Sequence, residues 1–308
     1  MKRFFKYLVI LLVVCAAGAG GAVYMTPPPP AKPVFPDPPA TKAVAAAVIN
    51  GDTGQLYGDK NGLLKIYPAS TTKILTCIIA LEEGRDRLSQ DTVVTPLAMA
   101  QDGTNLGVRP DMPISLHEVL YGMMLVSGND AAVAVAETVG GSYGRFVEMM
   151  NEKAASIGVS HSHFANPNGL TNPDHYTTAE DMVKIAAYAM KNPDFRAIVR
   201  EPVHKMVYRD GMYRLVENRN EFLKSGYAGA NGIKTGTTDA AGDCLVASAE
   251  RDGTLIIVGV YNDEKRWDDV KAWLDYGFEA DRLEKAYEAE LAAEPAFYKW
   301  VNQKLGRE

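Results

Sequence analysis

The residues best suited to chemistry in this chain are a serine and a lysine three positions apart, Ser70 and Lys73. Pro68 precedes them and the apolar run 74–81 follows, so the pattern predicts a largely buried helix that begins at or near Ser70. Residues three apart lie on one face of a helix. Burial disfavours a charged amine, so the pKa of Lys73 should fall, and the neutral amine can take the serine proton. The pair is a candidate nucleophile with its base.

A Ser-x-x-Lys pattern alone is weak, because a helix-capping serine and a surface lysine match it by chance. Two further short motifs follow in order. Ser127-Gly128-Asn129 lies at a predicted break between two helices, where polar side chains can point into a cleft, although an ordinary turn has the same composition. Lys234-Thr235-Gly236-Thr237 lies on a predicted strand, and Ile233 before the lysine excludes a phosphate-binding loop. Together the three motifs indicate one catalytic constellation.

Alternating and helical apolar patterns predict the elements that position these motifs. A β-hairpin is expected at 43–57, and helices and strands follow it. The predicted helices are 116–126, 130–138, 145–157, 178–190 and 267–278; the predicted strands after the hairpin are 203–208, 212–217, 232–235, 244–249 and 254–261. An initial hairpin, a helical block and then consecutive strands predict an α+β fold, with an antiparallel sheet and inserted helices.

Composition excludes several classes of function. The chain has 308 residues, 47% apolar and 23% charged, which is typical of a globular protein with a large core. A net charge of −6 gives no reason to expect a nucleic-acid partner. Cys77 and Cys244 are expected to be small buried hydrophobic residues rather than a disulfide. His161, His163 and His175 are expected at the surface or in turns, without a metal.

The N-terminal sequence predicts export. Lys2, Arg3 and Lys6 precede an apolar run and a stretch of small residues, so 1–25 is expected to be a signal peptide or a retained membrane anchor. A proline-rich linker at 26–39 is expected to be an extended spacer. The catalytic domain is placed at 40–280, and 281–308 is expected to form a C-terminal helical tail. The domain should therefore act outside the cytoplasm, for example on the extracytoplasmic face of a membrane.

With these motifs, the chain resembles the penicillin-binding D-alanyl-D-alanine carboxypeptidases, serine peptidases of bacterial cell-wall maturation. The resemblance extends over about residues 43–278. It includes the following stretches: Pro68-Ala69-Ser70-Thr71-Thr72-Lys73, Ser127-Gly128-Asn129-Asp130-Ala131-Ala132, Asn166-Pro167-Asn168-Gly169-Leu170, Tyr176-Thr177-Thr178-Ala179, Asn231-Gly232-Ile233-Lys234-Thr235-Gly236-Thr237-Thr238 and Tyr276-Gly277-Phe278. It implies the β-lactamase/transpeptidase fold, with an all-helical subdomain beside the sheet and the active site between them.

The resemblance and the residue chemistry together imply a role for each motif. Ser70 would attack the carbonyl between two D-alanines of a peptidoglycan stem peptide, with Lys73 as its base. Ser127 would pass a proton to the leaving amine, and Asn129 would hold the substrate amide. The oxyanion would be held by the N–H groups of Ser70 and Thr237.

The remaining motif residues would recognise the substrate. Lys234, Thr235, Gly236 and Thr237 are assigned to the strand that binds the terminal carboxylate of the peptide. Arg266 lies where the family places a carboxylate-binding arginine, although a surface arginine would fit the sequence equally well. No cofactor or metal is expected, and β-lactam antibiotics should act as covalent inhibitors.

Other functions compete with the carboxypeptidase. A serine β-lactamase uses the same three motifs but also needs a carboxylate to activate the deacylating water, and 166–170 contains none. A D,D-endopeptidase acting on peptidoglycan cross-links would share the catalytic residues. A non-catalytic cell-wall-binding module is disfavoured because all three motifs are present.

Overall fold

The computed structural model describes Gly21 and residues 26–307. The predicted signal peptide or anchor at 1–25 thus lies outside the described residues, apart from Gly21. The chain forms two compact units: Pro36–Glu279, and the described parts of Met1–Phe35 and Ala280–Glu308. Within the described residues, no helix combines the length and the apolar character needed to cross a bilayer.

The larger unit is built on a five-stranded antiparallel sheet with strand order β2-β1-β7-β6-β5. A separate hairpin pairs β3 with β4. The strands are β1 (Ala45–Asn50), β2 (Leu56–Lys60), β3 (Val203–Val207), β4 (Tyr213–Glu217), β5 (Ala230–Thr238), β6 (Gly242–Arg251) and β7 (Thr254–Tyr261). β5 forms one edge of the five-stranded sheet, so one side of this strand is free to face a cleft.

Nine α-helices accompany the strands in the described residues. They are α1 (Lys73–Glu83), α2 (Pro96–Met99), α3 (Leu116–Leu125), α4 (Asn129–Gly140), α5 (Tyr143–Ile157), α6 (Ala179–Met190), α7 (Pro193–Arg200), α8 (Arg266–Ala293) and α9 (Ala296–Lys304). Short 3-10 helices lie at Ala69–Thr72, Arg85–Arg87 and Glu221–Lys224.

Helices cover both faces of the sheet, as expected where a strand such as β7 is apolar on both of its sides. On one face, Val183 of α6 packs against Gly259 of β7. On the opposite face, Gly277 of α8 packs against Ile256 and Val48. Because both faces are covered, β7 is buried along its whole length. The sheet is therefore a rigid support for its edge strand β5.

The predicted α+β class, the hairpin and the paired strands are confirmed, with boundaries that differ by a few residues. α2 and α7 were not predicted. α8 is longer than expected, because it continues beyond 278 and ends two residues before Pro295. Residues 279–282 favour a helix and contain neither glycine nor proline, so they continue it. The end predicted for this helix at 278 is therefore too early.

The smaller unit joins the proline-rich segment to the C-terminal helices. Asn302 on α9 donates from Nδ2 to the main-chain oxygen of Pro27 at 3.1 Å, and Arg307 donates to that of Thr26 at 3.3 Å. The segment 28–32 and the side chains of Tyr287 and Leu291 line a groove of about 970 Å³. The predicted domain boundaries at 39/40 and 280/281 remain predictions.

Candidate active site

Ser70 lies on a tight 3-10 turn, Ala69–Thr72, that leads directly into α1. Its neighbours Ala69 and Thr71 are buried, whereas Ser70 is half-buried and accessible. Ala69 has a φ of 47°, in the left-handed region that residues with a Cβ seldom adopt. The hydroxyl of Thr72 donates to the main-chain oxygen of Ala69 at 2.9 Å. The serine is thus presented on a constrained turn rather than in the middle of a helix.

Lys73 is completely buried, and its amine meets three oxygen atoms. Nζ lies 3.0 Å from Ser70 Oγ, 2.7 Å from Asn129 Oδ1 and 2.7 Å from the main-chain oxygen of Asn168. Burial and the nearby charge of Lys234 hold the pKa of Lys73 well below its ordinary value, while Asp130 opposes this fall. A neutral amine has two hydrogens, which the two asparagine oxygens can accept, so its lone pair is left for the Ser70 hydroxyl.

Ser127 and Asn129 lie at the junction between α3 and α4, as their motif predicts. Ser127 has a φ of 70° and is buried. The amide of Asn129 bridges two parts of the site, because Oδ1 accepts from Lys73 and Nδ2 donates to the main-chain oxygen of Asp102 at 2.7 Å. The motif therefore meets the Ser-x-x-Lys motif directly.

Asp130 follows the second motif, and the sequence predicted no role for it. In the structure it holds the loop that contains residues 106–108. Its buried carboxylate accepts the N–H groups of Leu106, Gly107 and Val108 at 2.6 to 3.0 Å. Three backbone donors to one carboxylate fix the loop that Asn129 also contacts. The loop beside the lysine is thus rigidly attached to α4.

The strand β5 brings Lys234 and Gly236 to the nucleophile turn. Lys234 is buried, and burial together with the charges of Arg219 and Arg266 lowers its pKa to about 7. A Cβ added to Gly236 would lie 3.0 Å from the main-chain nitrogen of Ser70. A side chain at position 236 would therefore push β5 away from the nucleophile turn. Thr235 is half-buried on the same strand, and Thr237 is exposed.

Arg266, the first residue of α8, contacts β5 with its guanidinium group. Its Nη1 donates to Thr237 Oγ1 at 3.1 Å and to the main-chain oxygen of Gly236 at 3.0 Å. It also lies 3.2 Å from Asp243 Oδ1. These contacts hold Arg266 against the strand that carries the third motif, and its role in binding a carboxylate remains a prediction. Arg219, which sequence reasoning missed, adds a further positive charge near Lys234.

The structure shows where the histidines and cysteines considered in the sequence lie. His161 and His163 are exposed. His175 closes a turn, as expected, because its N–H donates to the main-chain oxygen of Asn172 at 2.9 Å, but only 1% of the residue is exposed. It is buried because both ring nitrogens find partners, Ala165 N–H and the hydroxyl of Thr72. Cys77 and Cys244 are buried free thiols, so that prediction is confirmed.

Comparison with known proteins decides the family. The family profile described as D-alanyl-D-alanine carboxypeptidase matches residues 32–265. The chain belongs to this family of serine peptidases. The D-alanyl-D-alanine carboxypeptidase DacB2 of Mycobacterium tuberculosis is 38% identical over 252 residues, which cover 79% of this chain and 84% of that protein. The corresponding DacF of Bacillus subtilis is 32% identical, and the match covers 78% of this chain and 63% of that protein, so the chain spans less than two thirds of its length.

The fold comparison agrees with the family. The crystal structure of the Streptomyces K15 DD-transpeptidase matches with a TM-score of 0.73 and 30% identity, over 79% of this chain and all of that one. The predicted family, the β-lactamase/transpeptidase fold and the D-Ala-D-Ala carboxypeptidase class are therefore confirmed. Enzymes of this family act on D-Ala-D-Ala peptides of peptidoglycan, outside the cytoplasm.

Proposed function

We propose that this carboxypeptidase releases the terminal D-alanine of peptidoglycan stem peptides through an acyl-enzyme on Ser70. The observation that carries the proposal is the contact of 3.0 Å between Lys73 Nζ and Ser70 Oγ, within a site where the lysine is fully buried. A buried amine with a depressed pKa is a base that can work near neutral pH. The hydroxyl of Ser70 remains accessible to substrate.

Substrate recognition rests on the positive end of the site. The terminal carboxylate of the peptide is held by Lys234, Arg266 and the hydroxyl of Thr237, with Thr235 and Gly236 shaping the strand. This places the last peptide bond beside Ser70. Asn129 holds the substrate amide while it also orients Lys73. A negative terminus is therefore the main feature by which the enzyme selects its substrate.

In the acylation step, Ser70 Oγ forms a bond to the carbonyl carbon as its proton passes to Lys73. The negative charge on the carbonyl oxygen is stabilised by the N–H groups of Ser70 and Thr237. The C–N bond then breaks, and the leaving D-alanine takes the proton from Lys73 through Ser127. Water subsequently attacks the ester, with Lys73 again as base, and regenerates Ser70.

The loop 166–170 disfavours a β-lactamase. The Oδ1 atom of Asn166 accepts the Gly169 N–H at 2.7 Å, and the side chain of Asn168 donates to Gln101 at 2.8 Å. Neither residue is a carboxylate, and both side chains are already hydrogen-bonded. β-Lactams should therefore acylate Ser70 and remain attached to it.

The proposed activity is tested with a synthetic pentapeptide that ends in D-Ala-D-Ala. The wild type should release free D-alanine, whereas the Ser70→Ala variant, if folded, should not. Equal release by both proteins would overturn the proposal. Incubation with a cross-linked stem-peptide dimer tests the D,D-endopeptidase alternative, which predicts monomer formation.

We further propose that residues 1–25 direct the enzyme across the membrane and, when retained, anchor it there. The basic residues Lys2, Arg3 and Lys6 before an apolar run support this assignment. The full-length protein should fractionate with membranes, and a chain that starts at Pro36 should be found in the soluble fraction. If the shortened chain also pellets with membranes, the anchor lies elsewhere.

A further inference from the structure

His175 is a buried residue that the catalytic motifs do not include. It lies in the segment after the loop 166–170, and its ring packs edge-on against Phe164 at a centroid distance of 5.6 Å. Nδ1 accepts the N–H of Ala165 at 3.0 Å, so the ring hydrogen must be on Nε2. Nε2 lies 2.8 Å from Thr72 Oγ1 and therefore donates to it. The tautomer of His175 is thus fixed by its partners.

The hydrogen bonds continue in one direction toward the nucleophile. Thr72 Oγ1 accepts from His175 and donates to the main-chain oxygen of Ala69 at 2.9 Å. On its other side this oxygen packs against Gly169, where an added Cβ would lie 1.8 Å from it. The carbonyl of Ala69 is therefore held by a hydrogen bond and by a close backbone contact.

This carbonyl belongs to the same peptide unit as the N–H of Ser70. A peptide unit is planar and trans, so its C=O and N–H point in opposite directions. Fixing the Ala69 oxygen consequently fixes the direction of the Ser70 N–H. The φ of 47° at Ala69 shows that the residue carrying this carbonyl is held in a backbone conformation that alanine adopts rarely.

We propose that His175, acting through Thr72, is a positioning residue that orients the Ser70 N–H toward the oxyanion. This inference rests on the proposed function, in which that N–H stabilises the tetrahedral intermediate. Burial and the charges of His163 and Lys73 lower the pKa of His175 to about 3, so the ring remains a neutral donor at working pH. A hydrogen bond to the Ala69 oxygen also polarises the peptide unit and strengthens its N–H as a donor.

The test uses Thr72→Val, which removes the hydroxyl with little change of volume, and His175→Leu, which removes the ring nitrogens. Each variant should lower the rate constant of acylation by benzylpenicillin roughly tenfold. This is less than the about 10²- to 10³-fold loss that follows complete removal of an oxyanion donor, because the Ser70 N–H is still present. The double variant should be no slower than either single variant, because both changes break one chain of hydrogen bonds. His175→Gln and Thr72→Ser, which keep a donor and a hydroxyl, should recover most of the rate.

The carbonyl stretch of the penicilloyl ester, measured by difference infrared spectroscopy, reports the oxyanion hydrogen bonds directly. It should move to higher frequency in Thr72→Val. Thr76→Val is the matched control, since Thr76 is a buried threonine one turn after Thr72 and donates to the main-chain oxygen of Pro167 at 2.7 Å. It should lower thermal stability similarly but leave the ester frequency unchanged.

An unchanged acylation rate and ester frequency in Thr72→Val would overturn the inference, and so would equal shifts in Thr72→Val and Thr76→Val. If His175→Leu does not fold, Thr72→Val decides the question alone. Failure of the wild type to form any adduct on Ser70 would instead contradict the proposed function, so the two failures are distinguishable.

Discussion

The Nζ atom of Lys73 lies 2.7 Å from the main-chain oxygen of Asn168, and the loop that supplies this oxygen, 166–170, carries no carboxylate. All three oxygen atoms that contact the amine are uncharged, because the other two belong to Ser70 and Asn129. Among the described residues no anion contacts this amine to offset its loss of hydration, so burial has the largest effect on its pKa. The loop 166–170 thus contacts Lys73 with an uncharged oxygen, which favours the neutral amine. The same loop also lacks the carboxylate with which a β-lactamase activates water.

Replacement of Asn129 by Asp tests this electrostatic balance. A carboxylate 2.7 Å from Lys73 Nζ would favour the charged amine and raise the pKa of Lys73. The acid limb of the pH profile for acylation should move to higher pH by about 1–3 units. At pH 7 the rate constant of acylation should therefore fall about tenfold or more. The profile is measured with a fluorescent penicillin. Asn192→Asp, at the N-cap of α7, is the control and should leave it unchanged.

Arg266→Leu should weaken recognition of the terminal carboxylate. Hydrogen bonds to charged groups contribute about 1.5–3 kcal/mol, so kcat/KM for a D-Ala-D-Ala peptide should fall about 10- to 100-fold, mainly through KM. The peptide with a C-terminal amide should be affected much less, because it offers no charge to the arginine. Arg109→Leu, which removes an exposed arginine paired with Asp111, controls for loss of a surface charge. An equal loss for acid and amide peptides would exclude this role.

Gly169→Ala should disrupt the nucleophile turn. Both Gly169 and Gly158 have a φ of 86°, so alanine costs about 1–2 kcal/mol at either position through backbone conformation alone. At Gly158 an added Cβ meets nothing within 4 Å, but at Gly169 it would overlap the Ala69 oxygen. Gly169→Ala should therefore unfold at a clearly lower denaturant concentration than Gly158→Ala and acylate more slowly. Equal behaviour of the two variants would show that the close contact is unimportant.

His175 should make the fold sensitive to acid. In the folded protein its pKa is about 3, below the ordinary value of 6.5. The stabilisation that comes from burying the neutral ring is therefore complete above pH 6.5 and is lost as the pH falls toward 3. In that window it should reduce the free energy of unfolding by up to about 1.4 kcal/mol per pH unit. Urea unfolding should give a shallower pH dependence for His175→Gln, and an unaltered one for His161→Gln, which changes an exposed histidine. Identical slopes in wild type and His175→Gln would contradict the assigned pKa.

Much of the fold was predictable because its patterns are local. The strand β7 is a nearly continuous apolar run, and the turn before it contains Asp252-Gly253. The apolar pattern and the turn residues both indicate a buried strand that follows a hairpin turn. α7 was missed because its eight residues show only a short amphipathic pattern. The end of α8 was missed because Gly277 lies beside the predicted end at 278, although no glycine or proline follows it before Pro295.

The site was predictable only where side chains form motifs. Ser70, Lys73 and Asn129 were identified by spacing, and the structure brings them within hydrogen-bonding distance. The contact of Lys73 with the Asn168 oxygen could not be predicted, because every residue has a backbone oxygen. The burial of His175 depends on Ala165 and Thr72, and the bond to Thr72 spans 103 positions of sequence. No local pattern encodes such a contact.

The role of Ser70 is tested most directly by the intact mass of the protein after mixing with excess benzylpenicillin, followed over time and combined with peptide mapping. We expect one adduct with the full mass of the drug, located on Ser70, that persists while little penicillin is hydrolysed. The folded Ser70→Ala protein should remain unmodified. An adduct on another residue would contradict the assignment of the nucleophile. An adduct that disappears within about seconds while the drug is consumed would show that the loop 166–170 does not prevent deacylation, in favour of a β-lactamase.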